Sequence, residues 1–265
     1  SSLKKLLTIV MKITHINRIM ERIQMFNQYF SRKISLQIKW MFLLIIVPLY
    51  FYCSSVIGTA ILKFLVIQFS FQWDYITLNT YLNFLVDSVM LILVGWIMKD
   101  TMIEQWKDFK KNLKDNVIYG ALIGTALIYV VGILGGMITL MLGGSSNSEN
   151  QQMIETITNV HPLLMAITTI FFAPILEEMI FRGIVFGWLY ELSPKLAHFI
   201  SAFIFGFIHV MMAILSGNIS EWVQIFSYFF MGFVLSYLYE KKNNIYVPIL
   251  AHMSNNFISV MLMMI

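Results

Sequence analysis

The sequence predicts an all-α polytopic membrane protein, a bundle of about seven to eight transmembrane helices with an amphipathic interfacial helix at its amino terminus. Two observations predict it. Of 265 residues, 58% are hydrophobic and 12% charged, with a mean hydropathy of +0.76. A soluble domain carries about twice that charged fraction, so polar surface is too scarce to coat a water-soluble globule. The second observation is a series of mostly apolar stretches of about 18 residues or more, enough for helices to cross a hydrocarbon core ~30 Å thick. A membrane barrel would show short alternating strands, and none appear. No internal repeat of the inverted-transporter kind is visible.

Residues 1–34 read as a basic cytoplasmic or interfacial segment ahead of a transmembrane domain over 35–265. Leu3, Leu6, Val10, Ile13, Ile16, Met20, Ile23, Phe26 and Phe30 recur at three- and four-residue steps, while Lys4, Lys5, Lys12, Arg18 and Arg22 fall off that stripe. This is the pattern of a helix lying at the inner membrane surface; packing of the stripe on the protein's own spans is the alternative. Together with Arg32, Lys33 and Lys39, these cations face a single acid, Glu21, before the first span. The positive-inside rule makes that flank cytoplasmic in an integral plasma-membrane protein. A membrane anchor explains the cluster, so no nucleic-acid partner is expected and the lipid bilayer is the expected neighbour. No small-residue cleavage site follows, so no cleavable signal peptide is expected. The single cysteine, Cys53, excludes an internal disulfide.

The first span is expected over about 40–61 with a kink at Pro48, followed by an outer surface segment over 62–80. Two passes within 41–80 would raise the count to eight. The second span is expected over 81–98, and the lysine-rich stretch 99–116 is a cytoplasmic loop. The third is 117–142. The stretch 143–160 holds no Lys or Arg and reads as an outer loop. The fourth is 161–192, broken by Pro174, and the last three are 196–215, 222–239 and 245–265. The short turns bearing Lys195, Lys241 and Lys242 all fall on the side this alternation makes cytoplasmic.

Within these spans Glu177, Glu178, Arg182, His209, His252 and Asn256 are out of place. A buried ionisable group costs several kcal/mol in a bilayer, which makes each a functional candidate. At ~1.5 Å of rise per residue, Glu177 lies ~21 Å from Glu191 and His209 ~21 Å from Lys195; His252 and Asn256 lie ~12 Å and ~18 Å from Asn244. All reach the middle or inner half of the core from three different helices. Glu178 and Arg182 are four apart and stack on one face as an ion pair. Glu177 is turned about 100° away and has no such intrahelical partner. The expected division is a structural Glu178–Arg182 clamp with Glu177 pointing into a cavity, two carboxylates in unlike surroundings suited to brace and base.

Three strings carry a family resemblance. Residues 177–182 have the form EExxxR, Phe205 to His209 the form FxxxH, and His252 to Asn256 the form HxxxN. In this order they resemble the CPBP family (CAAX proteases and bacteriocin-processing enzymes, also called Abi), to which type II CAAX prenyl endopeptidases belong. The resemblance covers residues 171–257, with no departure at the motif positions. It implies an intramembrane endopeptidase of glutamate type, acting on a membrane-associated peptide or protein such as a CAAX terminus, a peptide pheromone or a bacteriocin precursor. It implies that Glu177 and His209 bind and activate water, that His252 and Asn256 form the oxyanion hole, and that Glu178 and Arg182 support them. The chemistry is coherent on its own: amide hydrolysis needs a proton acceptor for water and donors aimed at the developing oxyanion.

Other readings weigh against these residues. Glu178–Arg182 is explained by helix bracing alone, but Glu177 is not. A lone His209 would be a satisfied core histidine, and Asn256 a helix-to-helix glue; agreement in depth with Glu177 argues for function. Phe205 reads as packing. Asp87 reads as structural, lining the cavity or pairing with Lys63, and His198 as interfacial. Glu177, His209 and His252 could form a His₂Glu zinc site, but the favoured reading has no metal, because Asn256 beside His252 suits an oxyanion pair and HExxH is absent. A non-catalytic regulator or immunity protein of the same fold is the alternative function. A transporter, with buried Glu and His relaying protons, ranks third.

Overall fold

A computed structural model describes residues 34–70 and 73–264, together with helical residues 5, 8, 11–14, 16–18, 20 and 21. Most of the expected interfacial helix over 3–30 lies outside the described residues. Where described, Met11, Ile13, Ile16 and Met20 are exposed.

The described chain is helical throughout. Helix α1 spans 36–69, α2 Tyr75–Ile97, α3 Lys99–Lys111, α4 Leu113–Met141 and α5 Glu149–Val160; α6 is Pro162–Tyr190, α7 Pro194–Leu215, α8 Ile225–Lys242 and α9 Tyr246–Met263. By length and composition, α2, α4, α6, α7 and the run Ile219–Lys242 can cross a membrane. The apolar helices α1 and α9 complete an all-α membrane bundle among the described residues.

Pro174, expected to break a span, and Pro48, expected to kink one, both lie within continuous helices. Pro48 sits between wide π turns at Phe42–Ile46 and Leu49–Cys53, and α1 runs on to Phe69. The expected outer segment over 62–80 is therefore mostly helix. The reversal falls at Ser70, whose φ of 54° is left-handed. Asp74 then caps α2, its Oδ1 accepting the Thr77 N–H at 2.7 Å, and that bond holds its carboxyl below the ordinary value. Pro174 likewise lies inside α6, just after a π turn at Thr168–Phe172. A π turn widens the helix locally, which admits a proline ring that would otherwise clash.

Two expected loops also hold helices. In α3, Thr101, Gln105 and Phe109 recur every fourth residue and are buried on one face. Gln105 staples the α8–α9 turn: its Oε1 accepts the Ile245 N–H and its carbonyl accepts Asn244 Nδ2, both at 2.9 Å. In the predicted outer loop, Ser148 caps α5 through the Gln151 N–H at 3.1 Å, and Glu149 occupies the first turn, where helix polarity favours an acid.

Glycines set the helix spacing around the site. A Cβ at Gly206 would lie 3.0 Å from the Ile225 carbonyl, and one at Gly232 3.1 Å from Ala202 Cα, so α7 and α8 touch backbone to backbone. At Gly135 of α4 a Cβ would lie 2.7 Å from Ser227 Cα in α8. No flexible side chain can yield there. Gly135→Ala should therefore destabilise the fold by about 1–3 kcal/mol, seen as a lower unfolding temperature in detergent. An unchanged temperature would show that α4 and α8 pack more loosely than described.

Candidate active site

The site is built outward from one carboxylate oxygen. Glu178 and Arg182 are both fully buried, and Arg182 Nη1 donates to Glu178 Oε1 at 3.1 Å, the pair predicted from their spacing. The same oxygen is 3.0 Å from His252 Nδ1 on α9, a partner the spacing does not predict. Arg182 Nη2 donates to the Gly232 carbonyl of α8 at 2.9 Å, and its guanidinium lies 4.7 Å from the centre of the Phe205 ring on α7. One ion pair thus touches four helices.

Glu177 points elsewhere. Its Oε2 is 3.9 Å from His209 Nε2 and 3.9 Å from His252 Nε2. That buried oxygen accepts no hydrogen bond among the described residues. The tautomers follow from the other ring nitrogens. His209 Nδ1 is 2.7 Å from the Phe205 carbonyl, which can only accept, so Nδ1 carries the proton. His252 Nδ1 faces the Glu178 carboxylate, so it too is protonated. With Nδ1 engaged in each ring, Nε2 is the nitrogen that each presents toward Glu177. Both separations are too long for a direct hydrogen bond and suit a bridging donor.

Phe205 does more than pack. Its carbonyl sets the His209 tautomer, and its ring lies 4.5 Å from the His209 ring and 5.9 Å from that of His252. Tyr228 stacks on His209 with ring centres 4.3 Å apart and planes 20° apart. Sequence inspection missed Tyr228, because one tyrosine among many aromatic residues carries no distinguishing spacing.

Asn256 is one turn beyond His252, and its Nδ2 donates to the Thr169 carbonyl at 2.8 Å. In the π turn, Ala173 N–H bonds back to Thr168, and the same five-residue step from Thr169 reaches Pro174, which has no N–H. Asn256 supplies the donor that proline lacks. The second N–H of its amide lies on the same nitrogen, one helical turn from His252.

Asp87 pairs with Tyr50 of α1 rather than with Lys63, through a side-chain hydrogen bond, and both interact electrostatically with Glu177. Tyr50 was not anticipated from sequence, since nothing marks it among its apolar neighbours. His198 is a cross-brace between α7 and α8: Nδ1 is 2.7 Å from Ser236 Oγ and Nε2 is 3.0 Å from Glu240 Oε2. Tyr190 donates to the other Glu240 oxygen at 2.7 Å. Ser236 is fully buried, so this Ser–His–Glu group is structural.

Residues 159–258 match the model of a protein family described as type II CAAX prenyl endopeptidase Rce1-like. The chain is 32% identical to YdiL of Bacillus subtilis, named as a candidate membrane peptidase, over 65% of this chain and 66% of that protein. It is 28% identical to the membrane-embedded CAAX protease MroQ of Staphylococcus aureus, over 65% of this chain and 68% of that one. It is also 25% identical to the UPF0177 protein YvdC of Lactococcus lactis, over 74% and 71% of the two chains. The chain thus spans about two thirds of the length of these relatives. No solved structure matches it.

Asn256→Ala should orphan the Thr169 carbonyl and destabilise the fold by about 1–3 kcal/mol. In a Pro174→Ala background position 174 regains an N–H, and the same substitution should cost markedly less. Thermal unfolding of the four chains measures that coupling; equal losses in both backgrounds would remove the proline-repair role.

Proposed function

We propose that this chain, which belongs to the CPBP family of membrane proteases, hydrolyses a peptide bond in a membrane-associated peptide or protein. The observation that supports this most is that Glu177 Oε2 lies 3.9 Å from both His209 Nε2 and His252 Nε2, a spacing that a bridging water fits. A water there donates one O–H to Glu177 and the other to an imidazole. Glu177 takes a proton from the water as its oxygen bonds to the scissile carbonyl carbon. When the carbon–nitrogen bond breaks, the proton passes from Glu177 to the departing amine, leaving a carboxylate and a free amino terminus.

The carbonyl oxygen becomes negative on the way and needs donors. Asn256 offers its second amide N–H. His252 donates only when Nε2 is also protonated, and Glu178 Oε1 on Nδ1 is the partner that stabilises such an imidazolium. In this reading Glu178 and Arg182 orient His252 and never touch substrate. The low-dielectric surroundings strengthen every one of these contacts.

Zinc fits these donors poorly. Tetrahedral zinc with bonds of about 2.0–2.1 Å places neighbouring ligand atoms about 3.3 Å apart, whereas both histidine nitrogens stand 3.9 Å from Glu177. The family resemblance supports a membrane-associated substrate, such as a lipid-tailed terminus, a peptide pheromone or a bacteriocin precursor.

The test uses the full chain in lipid nanodiscs, with membrane-associated peptides followed by mass spectrometry. Glu177→Gln and His209→Ala should each lower cleavage by about 10²–10⁴-fold while the unfolding temperature stays near that of the parent. Chelators should leave the rate unchanged. Undiminished turnover in Glu177→Gln would overturn the proposal. A cellular phenotype preserved in that variant would favour a non-catalytic membrane regulator.

A further inference from the structure

The His209 Nδ1 bond to the Phe205 carbonyl sets the ring's tautomer and direction, and contacts on its faces set its tilt. Two aromatic rings restrain it. Phe205 lies at 4.5 Å, tilted by 44°, and Tyr228 stacks at 4.3 Å and 20°. Phe205 is fully buried and pinned beneath Arg182. Tyr228 sits near the start of α8, where the helix is only half-buried, so packing alone fixes it less firmly.

The hydroxyl of Tyr228 is what anchors it. It lies 2.7 Å from Ser148 Oγ and 3.3 Å from Asn150 Nδ2, the residues at the amino-terminal end of α5. Ser148 Oγ already accepts the Gln151 N–H as the helix cap, so its own proton is available to Tyr228. The end of α5 is itself docked: Glu149 N–H donates to Glu221 Oε1 at 2.7 Å, and Asn218 Nδ2 donates to Glu149 Oε1 at 2.6 Å. Along its length α5 packs on α2, α6, α7 and α9, three of which carry Glu177, His209 and His252.

We propose that Tyr228 is a positioning residue for His209, held in register by the capping end of α5, so that the seating of this connecting helix decides whether the imidazole faces Glu177. The proposal rests on the peptidase reading for its consequence but not for its geometry. A chain entering the site from the α5 end would meet Ser148 and Asn150 first. Displacing them would release the Tyr228 hydroxyl and loosen the His209 ring, coupling α5 to catalytic competence without any contact between α5 and the reacting atoms.

Two measurements on the full chain separate the two readings. In protein carrying ring-labelled histidine, the His209 signal is the one lost in His209→Ala. Stacking on Tyr228 shifts it upfield; Tyr228→Leu should abolish that displacement and Tyr228→Phe should largely keep it. An unmoved His209 signal in Tyr228→Leu would overturn the proposal whether or not the protein cleaves anything.

In the cleavage assay, Tyr228→Leu should lower kcat by about 10–100-fold, the scale of a small misplacement of a catalytic group, with KM within about twofold. Tyr228→Phe and Ser148→Ala should each cost a few-fold. Their combination should cost less than the two losses multiplied, because both remove the Ser148–Tyr228 bond. A raised KM at constant kcat, or additive losses, would assign Tyr228 to substrate binding or general stability and overturn positioning. A parent chain that cleaves no membrane-associated peptide would sink the peptidase reading alone, since the histidine signal still decides the role of Tyr228.

Discussion

Everything near the site depends on how one buried charge is neutralised. Arg182 has no route to water, and an unpaired guanidinium in such surroundings would be strongly destabilising. Its partners come from three places: Glu178 one turn back, the Gly232 carbonyl on α8, and the face of Phe205 on α7. Glu178 then reaches a fourth element through His252 on α9. The ion pair is therefore a junction. It adds little net stability compared with apolar packing, but it specifies which faces of four helices must meet, because any other register leaves a charge without a partner.

That junction leaves Glu177 as the odd acid out. The 100° turn between adjacent helical residues sends it away from Arg182 toward the two imidazoles. Both rings are aimed by bonds at Nδ1, one to a carbonyl and one to Glu178. The arrangement separates the carboxylate that neutralises the buried charge from the one that faces the two imidazoles. Glycines make it possible, since Gly206 and Gly232 let α7 and α8 approach closely enough for a main-chain carbonyl to reach Arg182.

The wide turns in α6 belong to the same economy. A proline in a membrane helix leaves a carbonyl with no backbone donor, and lipid offers no water to replace it. Here the donor is the Asn256 side chain, which binds the site's last helix to its first. Ser201 of α7 also donates to a main-chain carbonyl of α6, that of Phe181, at 3.2 Å within its second wide turn. Irregular backbone and polar side chains thus occur together because each satisfies the other.

Composition and hydropathy alone determined that the chain is a helical membrane bundle, because a polar coat cannot be built from so few charged residues. The order and depth of Glu177, Glu178, Arg182, His209, His252 and Asn256 were also legible, since ionisable groups stand out against apolar spans and helical rise is constant. What needed the tertiary structure was whatever depends on a partner from another helix. Pro174 looked like a break because the donor that replaces its missing N–H, Asn256, lies on another helix. The helices at 99–111 and 149–160 looked like loops because their buried faces exist only against the bundle. His252 on Glu178, Tyr228 on His209 and Tyr50 on Asp87 left no mark in the sequence, because a single aromatic or imidazole ring acquires its role from the distance and angle at which another element presents it.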